Sequence, residues 1–352
     1  MSEHVAVILG GSGFVGRRLV ALAAGEDVPG GRPEGWPRFD RIRSLDVVPL
    51  DPAVIAAAKI PVESQIVDIT DAAAVREALK DARTVFHLAS VVDVGLRPGP
   101  RIEKVNVGGT RNVVAACDAN GVRSLIYTSS EDVLLSEVPV AGGDESYAYP
   151  ERPIHPYVAT KIEGEKLARA ADGRGVLRTV AIRPVHVYGP HDPHAILTSL
   201  RAFKDGSVAF LVGHDQALFD VVYVDNVAHG HLLAAGALER EPDRIGGKAY
   251  FVGESNKPNY FAWLRPYAAR KNIRMPSRYL GRTGTALAAR VMELVHRVTG
   301  RDVPFHRFHQ RVIGESFWFS NAAIQRDLGY APIVTPAEGE RRTLAWLDGV
   351  DV

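Results

Sequence analysis

A tyrosine and a lysine four residues apart, Tyr157 and Lys161, carry side chains that can move a proton. The run from Val158 onward is compatible with a helix, and residues at i and i+4 share one helix face. A tyrosine titrates at about pH 10, too high for a good base at neutral pH, and a nearby ammonium lowers that pKa by favouring the phenolate. The pair can therefore exchange a proton with an alcohol or carbonyl. Taken alone, it also fits two residues on a solvated helix face.

Two serines, Ser129 and Ser130, close an apolar segment that reads as a strand. In doubly wound sheets, ligands bind at the carboxyl ends of the strands. A hydroxyl group at that end can hold a substrate oxygen against Tyr157. The alternative interpretation is that the two serines begin a turn.

A strand, a glycine-rich turn and a helix are predicted at the start of the chain, where the apolar segment 5–9 is followed by glycines. This element would hold a dinucleotide beside the reacting groups. Gly10 permits the tight turn, Gly13 leaves room for a pyrophosphate, and Gly16 lets the helix lie close to the strand. The first turn of that helix presents unpaired N–H groups and a positive dipole end to a phosphate. A glycine pattern alone also fits an ordinary turn, but this strand-to-helix context favours a dinucleotide.

An acidic residue, Asp46, follows in the second predicted strand and is expected to bind the hydroxyls of the adenosine ribose. It stands about thirty residues past the glycines rather than about twenty, because the segment 23–41 is rich in glycine and proline and reads as an inserted loop. The acid repels a 2′-phosphate, so NAD is the expected cofactor. NADP is the alternative if Arg41 or Arg43 reaches the adenosine when the loop folds over it. Asp46 could also be a turn residue before Pro49.

Apolar segments alternate with segments of helical spacing along most of the chain. The predicted strands are the segments 5–9, 42–48, 65–70, 84–89, 124–130, 179–184 and 221–226. The predicted helices include the segments 71–80, 106–117 and 227–238. This order predicts an α/β fold, a doubly wound parallel (Rossmann) sheet with a smaller, mostly C-terminal substrate domain. The dinucleotide-binding domain is assigned to residues 1–185, with 217–240 returning to it, and the substrate domain to 186–216 and 241–352.

The charge balance and the cysteine count exclude several classes of function. The 352 residues carry 42 basic and 41 acidic side chains, so no global field would recruit nucleic acid. The single cysteine, Cys117, excludes an internal disulfide, and we predict no metal site. The chain starts without a basic region before its first apolar run and has no long apolar stretch, so we expect a cytoplasmic protein. A small hydrophobic substrate and a second copy of the chain, forming a homodimer, are the expected partners.

Together these residues resemble the extended short-chain dehydrogenase/reductase superfamily over nearly the whole chain. Tyr157 with Lys161 looks like its YxxxK signature, and the glycines look like its cofactor signature. The resemblance implies that Asn106 and Ser130 join the tyrosine and lysine as active-site residues, and that Lys161 also holds the cofactor ribose. It implies further cofactor contacts, which would be made by Phe14, Val15, Asp68, Ile69, Leu88, Ala89, Ser90, Ser129, Tyr157, Pro184 and Val187.

Within that superfamily the chain is similar to the branch of 3β-hydroxysteroid dehydrogenases and sterol-4-carboxylate 3-dehydrogenases. The segments that carry this similarity are 127–133, 223–229, 249–252 and 328–332. The resemblance implies an NAD(P)-dependent oxidoreductase that interconverts a secondary alcohol and a ketone on a hydrophobic, steroid-like substrate. Two features depart from the pattern of the family. One is the insertion at 23–41, and the other is the acidic pair Glu131-Asp132 after the serines, which could disfavour a carboxylate substrate.

Three alternatives remain open at this point. Reductases of 2-alkyl-3-ketoalkanoic acids share the same segments. Nucleotide-sugar epimerases and dehydratases use the same cofactor and Tyr/Lys pair, and would need cations for a diphosphate such as Arg265, Arg270, Arg274 and Arg278. A cofactor-sensing protein without turnover has no need for Tyr157, Lys161 and Ser130 together, so their joint presence counts against it.

The segment 286–300 reads as an amphipathic helix with leucines and valines on one face and Arg290, Glu293 and Arg297 on the other. One interpretation is that the apolar stripe packs on the substrate domain. The other is that the helix borders the substrate entrance and rests on a membrane surface, because basic residues beside an apolar stripe suit an interfacial helix. Peripheral membrane contact through 286–300 is therefore a hypothesis to be tested.

Overall fold

The structure is a computed structural model that describes residues 3–193, 195–303 and 305–352. Its strands are β1 (Val5–Leu9), β2 (Arg41–Asp46), β3 (Val62–Ile66), β4 (Ala82–His87), β5 (Ser124–Thr128), β6 (Ala141–Gly143), β7 (Arg178–Pro184), β8 (His186–Tyr188), β9 (Val221–Tyr223), β10 (Ala249–Val252) and β11 (Trp318–Phe319).

Its α-helices are α1 (Phe14–Ala23), α2 (Pro52–Ala56), α3 (Ala72–Ala78), α4 (Arg101–Glu103), α5 (Thr110–Ala119), α6 (Pro156–Arg169), α7 (Ile196–Lys204), α8 (Val224–Arg240), α9 (Pro242–Ile245), α10 (Tyr260–Arg270), α11 (Gly281–Thr299), α12 (Arg307–Ile313), α13 (Ala322–Leu328) and α14 (Pro336–Asp348). A π-helix covers Lys104–Gly109 and a 3₁₀-helix covers Glu131–Leu134.

The central element is a seven-stranded sheet in the order β10-β7-β5-β4-β1-β2-β3, in which all pairs are parallel. Successive side chains of a strand point to opposite faces, so a sheet covered by helices on both faces needs apolar residues throughout. In β1, Ala6 and Ile8 join the core that includes α1 and α8, while Val7 and Leu9 join the core that includes α3 and α5. The predicted doubly wound parallel sheet is confirmed.

Two strand placements differ from the sequence prediction. The strand predicted to return to the first sheet, β9, pairs instead with β8 in a separate two-stranded sheet, and only the helix after it, α8, packs beside α1. The edge of the main sheet is formed by β10, from the segment assigned to the substrate domain. Local apolar character identified the segment 221–226 as a strand but could not specify its partner, and β10 was not predicted as a strand, because pairing is decided by contacts distant in sequence.

Two predicted elements have different bounds or geometry. The strand predicted over 65–70 is β3, which ends at Ile66 and leaves Asp68 and Ile69 in the following loop. The regular helix predicted over 106–117 is split, because the residues up to Gly109 form the π-helix. A side chain at Gly109 would collide with the side chain of Ile69, so this segment approaches that loop more closely than residues with a side chain could.

The inserted segment 23–41 packs beneath the sheet on α8, away from the adenosine end. Trp36 Nε1 donates to Nδ1 of His229 at 2.7 Å, and Trp36 and Phe39 are 5 % and 6 % exposed. A side chain at Gly236 of α8 would collide with the carbonyl oxygen of Gly35. The insertion therefore adds to the core shared by α1 and α8, and the idea that it folds back over the adenosine is wrong.

The predicted amphipathic helix is α11, which buries small and polar residues, whereas Arg290 and Arg297 are exposed like the apolar stripe. Thr285, Ala289 and His296 are buried, and Glu293 forms an ion pair with Arg307 of α12 at 3.0 Å. The apolar stripe faces outward, with exposed side chains at Leu287, Val291, Leu294, Val295 and Val298. The interpretation that this stripe packs on the substrate domain is therefore wrong. Across the described ranges, every helix is either too short or too polar to cross a membrane.

Candidate active site

The glycine turn between β1 and α1 fits a dinucleotide. Gly10 has a φ of +85°, and a Cβ there would lie 2.6 Å from the backbone nitrogen of Ala89, so only glycine is tolerated. A Cβ at Gly16 would collide with the carbonyl oxygen of Gly10. At Gly13, a Cβ would meet the same oxygen at 3.2 Å but otherwise open space among the described residues, which is the room a pyrophosphate needs. Sequence reasoning missed Gly11, where a side chain would collide with Ser44.

The predicted ribose acid, Asp46, ends β2 directly beside this turn. Its carboxylate accepts hydrogen bonds from the backbone N–H of Ser12 at 3.0 Å and of Val47 at 2.7 Å. The two arginines that could favour a 2′-phosphate have other partners. Arg41 forms ion pairs with Glu3 and Glu63, and Arg43 donates to the carbonyl oxygens of Ala78 and Lys80 at 2.7 and 3.0 Å.

The remaining predicted cofactor residues line the carboxyl ends of the neighbouring strands. After β3, the Asp68 carboxylate accepts from the N–H of Thr70 at 2.8 Å, which is the main reason that its pKa is lowered. After β4, the N–H groups of Leu88 and Ala89 both donate to the carbonyl oxygen of Leu9 at 2.9 Å, and this brings Ala89 against Gly10. The other positions are Phe14 and Val15 in the first turn of α1, the exposed Ser90, Pro184 at the end of β7 and Val187 in β8.

The predicted catalytic pair, Tyr157 and Lys161, lies in the first turns of α6, at the carboxyl end of β5. His155 precedes this helix, and its Nδ1 accepts the N–H of Tyr157 at 3.1 Å. Pro156 fills the first helical position, where no N–H is needed. Lys161 Nζ donates to the carbonyl oxygen of Thr128 at 2.8 Å, so the lysine bridges the helix to the end of the strand. Both Tyr157 and Lys161 are buried, as a site that excludes water requires.

The pKa of Tyr157 moves in the direction opposite to the sequence prediction. Burial raises the pKa of its phenol above the ordinary value of 10, and the charge of Asp132 raises it further, while a hydrogen bond from Ser130 opposes them. Burial also lowers the pKa of Lys161 to about 8, against the charges of Glu165 and Asp132. The prediction that Lys161 lowers the pKa of Tyr157 is therefore wrong for this structure, in which desolvation is the larger effect.

Ser130 is hydrogen-bonded to Asp132, one of the two acids that follow the serines in the sequence. Its Oγ donates to Oδ2 of Asp132 at 3.0 Å and accepts the Asp132 N–H at 3.2 Å, which begins the 3₁₀-helix. Burial raises the pKa of Asp132 to about 6, although Ser130 and Lys161 counter it. The neighbouring Glu131 is 4 % exposed, and burial raises the pKa of its carboxyl well above the ordinary value. The spacing Ser-x-Asp, which closes a turn of this kind, was the available signal.

The hydroxyl of Ser129 points away from the site, into a buried ion-pair network. It donates to Glu165, which also accepts from Tyr149 Oη at 2.6 Å and from Nη2 and Nε of Arg183 at 2.7 and 3.0 Å. The side chains of Glu165 and Arg183 are 0 % and 2 % exposed. Only backbone groups of Ser129 are left for a cofactor. A glutamate within the buried face of α6 was the sequence signal for this network.

Asn106 lies in the π-helix and ties three elements together. Its side chain accepts from the N–H of Val91 at 2.7 Å and donates to the Val91 carbonyl at 2.9 Å and to Oγ1 of Thr160 at 3.1 Å. The amide therefore fixes the loop after β4 against α6. The helix held in this way carries Tyr157 and Lys161, and π-helical turns of this kind are frequent at functional sites.

Known proteins are similar to this chain over most of its length. The sequence model of the 3-beta hydroxysteroid dehydrogenase/isomerase family matches residues 7–279. A 3beta-hydroxysteroid-dehydrogenase/decarboxylase of Arabidopsis thaliana is 32% identical over 97% of this chain, which spans 62% of the length of that relative. A 3 beta-hydroxysteroid dehydrogenase/Delta 5→4-isomerase of Mycobacterium tuberculosis is 31% identical over 94% of this chain and 86% of its own.

Solved structures share the fold. The protein gox2253 superposes with a TM-score of 0.73 at 27% identity, covering 98% of each chain. A dTDP-glucose 4,6-dehydratase of Streptomyces venezuelae with NAD bound superposes with a TM-score of 0.71 at 20% identity, covering 98% of this chain and 97% of its own. The sequence match over most of the chain, together with the glycine turn and the Tyr/Lys pair, identifies this chain as a member of the 3-beta hydroxysteroid dehydrogenase/isomerase family.

Proposed function

We propose that this protein is an NAD-dependent oxidoreductase that interconverts a secondary alcohol and a ketone on a hydrophobic, steroid-like substrate. The observation that carries the proposal is the convergence of Tyr157, Lys161 and Ser130 where β5 ends and α6 begins. The names of the Arabidopsis and Mycobacterium relatives support a 3β-hydroxysteroid as the substrate.

The roles of the residues follow from their positions. The glycine turn and Asp46 would hold the dinucleotide, which accepts the hydride from the carbinol carbon when it is bound. Tyr157 takes the hydroxyl proton, Ser130 holds the reacting oxygen against the tyrosine, and Lys161 holds the ribose. Asn106 keeps the neighbouring loop in place. The proton acceptor has to be the phenolate, so a positive charge close to Tyr157 during turnover must overcome the effect of burial on its pKa.

The test is a substrate screen with purified protein. A 3β-hydroxysteroid, a 2-alkyl-3-ketoalkanoic acid and a sugar nucleotide would each be supplied with the matching form of the cofactor. Formation or loss of the reduced nicotinamide is followed by absorbance, and product analysis detects an epimer or dehydrated sugar. Turnover of the steroid alone supports the proposal. Turnover of the ketoacid or the sugar nucleotide alone would replace it with the corresponding alternative.

The sugar-nucleotide alternative would need cations that bind a diphosphate. The four arginines suggested for it all have exposed side chains, and Arg270 pairs with Asp348 at 2.5 Å. We retain the two-domain division as part of the proposal, with β10 moved to the dinucleotide-binding domain. The homodimer is likewise retained, and light scattering coupled to size-exclusion chromatography would test it.

We further propose that this cytoplasmic enzyme rests on a membrane surface through α11. The support is the exposed apolar stripe, on which Leu287, Leu294 and Val298 are 64%, 55% and 77% exposed, with Arg290 and Arg297 also exposed on the same helix. A helix that exposes an apolar stripe together with basic residues suits an interface. Such a position would carry a water-insoluble substrate toward the site.

The membrane proposal is tested by co-sedimentation with anionic phospholipid vesicles. The wild type should bind, and Leu294→Glu should bind at least tenfold more weakly while remaining folded by circular dichroism. Val176→Glu is the matched control, because Val176 is 61% exposed and lies outside α11. Failure of the wild type to bind, or equal loss in the control, would remove the proposal.

A further inference from the structure

Asp132 stands directly behind the hydroxyl expected to hold the reacting oxygen. The two hydrogen bonds between Ser130 and Asp132, at 3.0 and 3.2 Å, close a small ring that fixes the carboxylate beside the serine. A substrate oxygen hydrogen-bonded to Ser130 Oγ would lie about 3 Å from it, and hence within about 6 Å of Oδ2 of Asp132. A carboxylate on the carbon next to the carbinol carbon would enter the same space.

The charge of Asp132 is not neutralised by a contact partner. Among the described residues, no lysine, arginine or histidine forms an ion pair with it. The titratable groups that face it are Tyr157 and Lys161 from α6 and Glu131 from its own turn. Lys161 Nζ is directed to the carbonyl oxygen of Thr128. The nearby Lys257 is paired with Asp220 at 2.6 Å.

The carboxylate of Asp132 and a carboxylate on the substrate would repel each other strongly at this separation, because the site is largely shielded from water. Burial raises the pKa of the Glu131 carboxyl well above its ordinary value and so opposes a charge on that side chain. Asp132 is ionised in most molecules at pH 7.5, because its pKa is about 6. An anionic substituent near Ser130 would therefore be repelled electrostatically, whereas an uncharged ring carbon at the same place would not be.

We propose that Asp132 restricts the substrate to alcohols and ketones whose neighbouring carbon carries no carboxylate. This inference rests on the proposed function and narrows it: the substrate is a plain 3β-hydroxysteroid, and not a β-hydroxy acid of the kind that would lose carbon dioxide after oxidation. We therefore do not expect this chain to share the decarboxylase activity that the name of the Arabidopsis relative gives, although the two sequences are 32% identical. The same charge disfavours a 3-ketoalkanoic acid.

The test compares a 3β-hydroxysteroid with the same steroid bearing a carboxylate on C4. Values of kcat/KM are measured at pH 7.5 by NADH absorbance for the wild type, Asp132→Asn and Asp132→Ala. We expect the wild type to favour the neutral steroid at least a hundredfold, and either substitution to reduce that preference at least tenfold. Asparagine keeps an acceptor for Ser130 Oγ, and alanine serves as the second variant if asparagine misfolds. Glu131→Gln is the matched control and should leave the preference unchanged, because the Ser130 hydroxyl is hydrogen-bonded to Asp132 and burial opposes a charge on Glu131.

Comparable kcat/KM for both steroids in the wild type would overturn the inference, as would a preference that Asp132→Asn and Asp132→Ala leave unchanged. Neither result contradicts the proposed function, because the steroid alcohol is oxidised in both cases. If neither steroid is oxidised, the proposed steroid activity fails, and the inference is then decided by reduction of cyclohexanone against 2-oxocyclohexanecarboxylate with NADH. A wild-type preference for cyclohexanone that falls tenfold in Asp132→Asn upholds it, and any other ratio overturns it.

Discussion

Replacing Glu165 by glutamine should destabilise this protein more than any exposed Glu→Gln change. Glu165 is fully buried and accepts two hydrogen bonds from the Arg183 guanidinium, at 2.7 and 3.0 Å. The NH₂ group of the glutamine would face hydrogen-bond donors instead of accepting from them. Arg183 would lose its only ion-pair partner among the described residues. Removing one member of a buried pair typically costs about 3–5 kcal/mol, because the other charge stays buried.

The assay is urea unfolding followed by circular dichroism and tryptophan fluorescence. With a urea m-value of about 3 kcal/mol/M, a loss of this size lowers the midpoint by about 1 M or more. Glu338→Gln is the matched control, since the Glu338–Arg341 pair has side chains that are 31% and 69% exposed and should contribute far less. In the double variant Glu165→Gln/Arg183→Met, much of the stability should return, because no uncompensated charge remains.

The pH dependence of the free energy of unfolding is an independent test of whether the ionised Glu165 carboxylate stabilises the fold. Burial opposes ionisation of Glu165, but the hydrogen bonds and charge of Arg183 outweigh it and keep the pKa of this carboxyl below its ordinary value of 4.5. A folded-state pKa below the unfolded one contributes stability that is complete above pH 4.5 and is lost as the pH falls through the folded value. The difference between wild type and Glu165→Gln should therefore shrink below pH 4.5. A midpoint change no larger than that of Glu338→Gln would refute this reasoning.

Further predictions concern the catalytic site. Tyr157→Phe should lower kcat at least a thousandfold while NADH affinity, followed by fluorescence titration, stays within about threefold, because the phenol acts on the reacting oxygen; substantial residual turnover contradicts the assigned role. Asp46→Asn should reduce the preference for NAD over NADP at least tenfold in kcat/KM, and a wild-type preference for NADP would show that Asp46 does not govern the adenosine end. The KM for NAD should rise as the pH increases through about 8, where Lys161 loses its proton, and a flat profile would exclude an ammonium at the ribose.

Local sequence was sufficient for the elements whose structure depends on neighbouring residues. The run of apolar residues in β1, the turn at Gly10 and the helix start after Gly13 follow from backbone sterics and burial, so they could be predicted from a short window. The same holds for α6, where four-residue spacing alone puts Tyr157 and Lys161 on one face. The parallel sheet followed from the alternation of strands and helices.

Only the tertiary structure decided which distant groups meet. The pairing of β9 with β8, the packing of Trp36 on α8 and the outward apolar face of α11 each depend on surfaces far apart in sequence. The same is true of the charges: only the fold places Asp132 beside Tyr157 and buries Glu165 against Arg183. Desolvation depends on the whole fold, so the pKa of Tyr157 could not be inferred from a lysine four residues away.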